Sequence, residues 1–457
     1  MRGALAALLG LGVLAAQIGA RRAHTDRRDV HKRGTVIERA ANAQRLPLRQ
    51  KLRYLGPPGR QPVFLAGRAL EFAEETKHFK LIGTTGTGKT TAIVELLGSV
   101  LERGDRAVVT DPEGGYRRRF HDRQRGDVIL NPFDAASVKW DPFAEIRHDY
   151  DVEQLVSGLI PSTDDAAGRE WRGYARTFLT AITRRCYQLK KCDAGTLWRM
   201  IAIASSRELR GLVAGTPAQP FLEPENARML GSIRSVAASA AAALDIIQAQ
   251  QGVPFSVREW VRKGRGVLFI PYQADQVAAL RSAIAAWVRL AIFETMSQGE
   301  GDQRLWFVMD ELDAIGAIDG LKDALARLRK FGGRCVLGLQ SAAQVTSTYG
   351  SSDAQTVLEN CGNTLILRCS GSEPGGTAYF ASRLIGEREV IRRQTSRGQD
   401  REGLLTARAA RRSTQISAQH VTEIAVMASE LEQLPDLSGY LKTAGERCWR
   451  RVTLARR

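Results

Sequence analysis

Residues 83–90 read Gly83-Thr84-Thr85-Gly86-Thr87-Gly88-Lys89-Thr90, and this octet decides the fold. It fits the pattern G-x-x-x-x-G-K-[ST]. Before it, His78-Phe79-Lys80-Leu81-Ile82 has the makeup of a short strand. After it, Ala92, Ile93, Leu96, Leu97, Val100 and Leu101 recur at helical spacing. A glycine-rich loop between a strand and a helix lets backbone N–H groups turn inward around phosphate oxygens, with the helix N-terminus adding positive potential. The pattern therefore predicts binding of ATP through residues 83–90 and the adjacent Thr91, with Lys89 on the β- and γ-phosphates and Thr90 on Mg²⁺. A glycine-rich turn matching by accident is the alternative, and the flanking strand and helix argue against it.

Working outward, strands alternate with helical patterns, which predicts an α/β fold with a mostly parallel sheet. Arg106-Ala107-Val108-Val109-Thr110 is a buried-type strand running into Asp111-Pro112-Glu113-Gly114. Asp111 is either a ligand-side carboxylate at a strand end or a plain turn signal. Asp127–Leu130 and Gly266–Ile270 are further strands. From Asp151 to about Ser256 the pattern is helical throughout. There Trp171, Tyr174, Phe178, Leu179, Ile182 and Cys186 make one apolar stripe, and residues 227–251 read as one long helix.

Leu305-Trp306-Phe307-Val308-Met309 is a fully apolar strand with Asp310-Glu311 at its carboxyl end. Beside a P-loop, Asp310 is expected to hold Mg²⁺ and Glu311 to activate the attacking water. An acidic helix cap is the bland alternative. Arg334–Leu339 is the next strand, and Gln340 after it is read as a γ-phosphate sensor rather than a cap. Asn363–Leu367 ends in Arg368, read as a finger for a neighbouring subunit's nucleotide, against an ordinary surface ion pair. Residues 383–412 hold nine arginines and four acids without periodicity, which reads as a flexible basic loop.

The chain has 457 residues and a formal charge of +17, enough for a polyanionic partner, although a basic proteome accounts for part of it. Its six cysteines (Cys186, Cys192, Cys335, Cys361, Cys369, Cys448) form no Cys-x-x-Cys pair, so they read as reduced thiols rather than zinc ligands. Residues 3–20 are uncharged and rich in Leu, Ala and Gly, while residues 21–60 carry 12 Lys/Arg against three acids. This predicts a membrane anchor with a cytoplasmic body, with a cleaved export signal or a soluble apolar arm as alternatives.

Several ordered stretches together resemble the coupling proteins of type IV secretion systems. They are Glu75-Thr76-Lys77-His78 leading into the P-loop, Thr110–Gly114, Leu130-Asn131-Pro132-Phe133-Asp134, Trp140–Ile146, Phe331–Ser341 with Tyr349-Gly350, and Leu384–Val390. The resemblance covers roughly residues 60–455. It implies a RecA-like P-loop NTPase in residues 61–150 and 257–457, with an inserted all-α domain in 151–256. Residues 1–22 would be the anchor and 23–60 a basic linker. It further implies an ATP- and Mg²⁺-dependent homo-hexamer at a bacterial inner membrane, moving relaxase-bound single-stranded DNA to a secretion channel. The competing expectations are a duplex-DNA pump and a membrane-tethered adaptor with little turnover.

Overall fold

The computed structural model describes residues 29–39, 59, 61–163, 165–190, 193–301, 303–399 and 412–455. The apolar segment 3–20 lies outside these, as does Cys192. The strands in chain order are β1 (Val30–Gly34), β2 (Ile37–Arg39), β3 (Phe64–Leu65), β4 (Arg68–Ala69), β5 (Phe79–Ile82), β6 (Arg106–Pro112), β7 (Val128–Ile129), β8 (Lys139–Trp140) and β9 (Pro254–Phe255). They continue with β10 (Val267–Tyr272), β11 (Leu305–Met309), β12 (Gly333–Leu339), β13 (Asn363–Ile366), β14 (Glu387–Gln399), β15 (Arg412–Ile424), β16 (Ser438–Lys442) and β17 (Trp449–Thr453).

Ten of these form one sheet, in the order β2-β17-β16-β13-β5-β12-β11-β6-β10-β7. From β13 to β7 every pairing is parallel. Parallel strands need helical crossovers, and those cover both faces, so the strands read as unbroken apolar runs. In β11, Trp306 and Val308 join the core on one face, and Leu305, Phe307 and Met309 join the core on the other. β16 turns antiparallel against β13, and β17 follows antiparallel.

Between β8 and β9 the described residues form helices and turns only. The helix Ala166–Gln188 buries Phe178, Leu179, Ile182 and Cys186, as its spacing predicts. Trp171 departs from the expected stripe: it stands 37% exposed, edge-on to Tyr174, which in turn meets Phe221. The single helix expected over 227–251 is two, Ala227–Ala240 and Ala243–Ala249, bent by 57°. The first half packs on Ala166–Gln188 and the second on the helix Ala194–Trp198.

Two further expectations are corrected. Residues 387–399 are not a loop but β14, paired over its whole length with β15. Charged side chains hide its pairing pattern, because it is held across strands by ion pairs such as Arg388–Glu423 and Arg392–Glu423. The stretch 30–39, expected to be a plain basic connector, also belongs to the fold. β1 pairs with β14, where Lys32 and Arg33 both meet Glu389, and β2 extends the main sheet beside β17. Five described cysteines are free thiols, with Cys186, Cys335, Cys361 and Cys369 buried.

Candidate active site

β5 lies in the middle of the sheet with all four residues buried. The loop after it is tied to the strand ends on either side. Gly83 N donates to Leu339 O at 3.1 Å, and Thr84 N donates to Arg368 O at 2.9 Å. Gly88 turns the loop into the helix Lys89–Glu102 at φ +119°, a conformation that L side chains rarely adopt, and a Cβ there would sit 2.9 Å from Leu437. Lys89 is buried and donates to Gly83 O at 2.6 Å. Burial lowers its pKa, against the pull of Asp310 and Glu311.

The strand order brings the other candidates to this loop. β12 lies between β5 and β11, so the residue that follows β12 stands between the P-loop and the acids that follow β11. Gln340 is that residue. Its side-chain Nε2 donates to Glu311 Oε1 at 2.5 Å, and its Oε1 accepts from Thr85 Oγ1 at 3.2 Å. β12 approaches the end of β11 so closely that a Cβ on Gly338 would lie 2.0 Å from Asp310 O. Asp310 is buried, and its Oδ2 accepts from Thr90 Oγ1 at 3.1 Å. Its Oδ1 is shielded from solvent and has no hydrogen-bond partner. Glu311 is half-buried, and its carboxyl is raised above the usual range by burial, then by Asp310 and Asp313.

Thr84, Thr85, Gly86, Gly88, Lys89, Thr90 and Thr91 line one cleft of about 170 Å³ with Asp310, Glu311 and Gln340. Gly83 and Thr87 support it from behind, Thr87 Oγ1 donating to Thr84 O at 2.7 Å. Arg368 is not brought into the cleft. Its carbonyl receives Thr84, but its guanidinium pairs with Asp436 at 2.6 Å, the surface ion pair weighed as its alternative. Asp111 proves to be a cap. Its two oxygens accept from Tyr116 N at 2.9 Å and Arg117 N at 2.7 Å, starting the helix Gly115–Phe120.

Two residues escaped the sequence reading. Leu437 completes the cleft wall, with its N donating to Thr87 O at 2.9 Å, and it comes from a loop with no signal of its own. Tyr116 donates its hydroxyl to Asp310 Oδ2 at 2.7 Å. A buried aromatic at the start of a helix is indistinguishable in sequence from ordinary core.

A P-loop on a central parallel strand, with two carboxylates two strands away and an amide between them, defines a RecA-like P-loop NTPase. Within that class, residues 62–455 match the family model described as the type IV secretion-system coupling protein DNA-binding domain, and the chain belongs to that family. Coupling protein TraD of Escherichia coli (strain K12) is 30% identical over 388 residues, which take in 81% of this chain and 51% of TraD. The chain thus spans about half the length of that relative. Among solved structures, the unbound bacterial conjugative coupling protein TrwBdeltaN70 superposes with a TM-score of 0.79 at 31% identity, covering 93% of each chain. The plasmid coupling protein TrwB in complex with ADP and Mg²⁺ gives 0.78 at 31% identity, covering 93% of this chain and 94% of that one.

Proposed function

We propose that this chain is the ATPase of a conjugative coupling protein. In this reading it hydrolyses ATP with Mg²⁺ and uses the energy to deliver relaxase-bound single-stranded DNA to a type IV secretion channel. The observation that carries the reading is the Gln340 amide, which bridges Thr85 of the P-loop to Glu311. A half-buried carboxylate of raised pKa, tied to the phosphate loop through an amide, is placed as a general base beside a γ-phosphate would be.

The residues fit the cofactor pair. Thr90 Oγ1 and Asp310 are hard oxygen donors of the kind Mg²⁺ takes, and Asp310 Oδ1 has no other partner. When bound, Mg²⁺ would neutralise charge on the β- and γ-phosphate oxygens. The P-loop amides would cradle the phosphates, and Lys89 would exchange Gly83 O for a phosphate oxygen. Glu311 would orient water and accept its proton, held in place by Gln340. Arg368 is proposed as the trans cation, which requires its Asp436 pair to open.

In the assembled protein, residues 151–256 would be an inserted all-α domain, and residues 1–22 an anchor in a bacterial inner membrane. The working form would be a homo-hexamer. Support comes from the family match, from the TrwB structure with ADP and Mg²⁺, and from the charge of +17.

The test is ATPase rate against single- and double-stranded DNA, with assembly state followed in parallel. Stimulation by single strands, weakening steeply with salt, is expected. Preference for duplex would favour a duplex pump, and partner binding without DNA-stimulated turnover would favour an adaptor.

A further inference from the structure

We infer that Tyr116 is a positioning residue for the divalent-cation site, its hydroxyl holding Asp310 in the orientation that cation binding needs. The inference rests on the reading of Thr90 and Asp310 as the Mg²⁺ pair.

The phenol is delivered by a short chain of contacts. Asp111, at the end of β6, accepts from the backbone N–H groups of Tyr116 and Arg117 and so fixes the start of the helix Gly115–Phe120. The Tyr116 ring is 1% exposed and packs in the core with Ala92, Ile93 and Val109. From there its hydroxyl donates to Asp310 Oδ2 at 2.7 Å. Thr90 Oγ1 donates to the same oxygen at 3.1 Å. One oxygen of Asp310 thus has two donors, and the other, Oδ1, has none.

A carboxylate with both donors on one oxygen is fixed in rotation about its last bond, with the bare oxygen presented for another partner. Thr90 is itself a candidate cation ligand. Tyr116 is therefore the donor to Asp310 that cation binding does not recruit. A phenylalanine would fill the same core volume, so packing alone does not account for the hydroxyl.

Tyr272 supplies an internal control. It is 4% exposed and within electrostatic reach of Glu311 and Asp310, yet its hydroxyl is buried without a hydrogen-bond partner. Removing it deletes a phenol oxygen from the same neighbourhood without breaking a bond to Asp310.

The test is equilibrium binding of a fluorescent ATP analogue to the full chain, in Mg²⁺ and in EDTA, for wild type, Tyr116→Phe and Tyr272→Phe. Wild type should bind more tightly with Mg²⁺. In Tyr116→Phe that Mg²⁺-dependent gain should shrink about 10-fold, the usual cost of losing a group that orients a metal ligand. Affinity in EDTA should not change, and Tyr272→Phe should match wild type. The inference is overturned if Tyr116→Phe keeps the full Mg²⁺ gain. It is overturned equally if the variant weakens binding alike with and without Mg²⁺, or if Tyr272→Phe loses as much. A wild-type chain without any Mg²⁺-dependent gain would overturn the underlying assignment of Thr90 and Asp310 instead.

Discussion

Gln340 holds Glu311 and Thr85 at once, its amide Nε2 2.5 Å from Glu311 Oε1 and its Oε1 3.2 Å from Thr85 Oγ1. A γ-phosphate entering the P-loop would meet Thr85, and the general base would feel it through one side chain. Gln340→Ala should lower kcat by about 10²-fold, because a base misplaced by roughly an ångström loses that much. The variant also has a pH signature. Glu311 is raised by burial first and by Asp310 next, and the Gln340 hydrogen bond works against that rise. Without the bond the carboxyl rises further. A general base is lost as pH falls through its pKa, so the acid limb of kcat should move to higher pH in Gln340→Ala. A pH–rate profile superposable on wild type would remove Gln340 from this role.

Arg368 can serve a neighbouring subunit only by leaving Asp436, 2.6 Å away. The proposal therefore predicts complementation between two dead variants. Glu311→Gln should bind ATP and lose hydrolysis by about 10²–10⁴-fold, the usual contribution of a general base. Arg368→Ala should bind ATP normally and hydrolyse poorly. In mixed assemblies an Arg368→Ala subunit keeps its own base and receives an intact arginine from a Glu311→Gln neighbour. Mixing should restore a measurable fraction of wild-type turnover. If activity only averages the two dead proteins at every ratio, Arg368 is a surface ion-pair residue.

The parts of the site legible in sequence are those whose chemistry is local. The P-loop, Asp310-Glu311 and Gln340 each sit at the carboxyl end of an apolar strand, and a parallel sheet lines such ends up along one edge. What the sequence concealed depends on contacts between distant segments. Tyr116 resembles any buried aromatic until β6 and β11 bring it to Asp310. β14 lacks apolar alternation because its partners are charges on β1 and β15, such as Lys32 with Glu389. The ion pair of Arg368 with Asp436 was hidden for the same reason, because Asp436 lies on a later turn.

His78 links the base of the P-loop strand to its neighbours and should make stability depend on pH. Its Nδ1 faces Cys335 N at 3.1 Å and so must be the unprotonated nitrogen, while Nε2 donates to Leu325 O at 2.9 Å. Burial lowers its pKa from 6.5 to about 4. Between those values the unfolded chain binds a proton that the folded chain refuses. Stability is therefore complete above pH 6.5 and declines as pH falls toward 4, by roughly 3 kcal/mol from this residue. Urea unfolding at pH 7.5 and 5 should show the loss, and His78→Leu should flatten that part of the slope. An equal slope in the variant would show that other groups carry the acid sensitivity.

The edge of the sheet opposite the nucleotide cleft is closed by a buried charge cluster, and its loss should cost far more than a surface pair. Glu75 is fully buried and accepts from Arg103 Nη1 at 2.6 Å, Arg103 Nη2 at 2.8 Å and Arg334 Nε at 3.0 Å. Arg103 also binds Asp105, which accepts from Trp306 Nε1 at 3.0 Å. These residues join the helices on either side of the P-loop strand to the starts of β6, β11 and β12. Removing the central carboxylate leaves two buried guanidinium groups short of a counter-charge. Glu75→Ala should therefore lower unfolding stability by about 3–5 kcal/mol. Glu75→Gln, which keeps the shape and some acceptors, should fall between it and wild type. The nucleotide cleft lies at the other end of these strands, so ATP affinity of the folded fraction should hold while the unfolding midpoint drops. If Glu75→Ala unfolds at the wild-type denaturant concentration, the cluster contributes nothing to holding that edge.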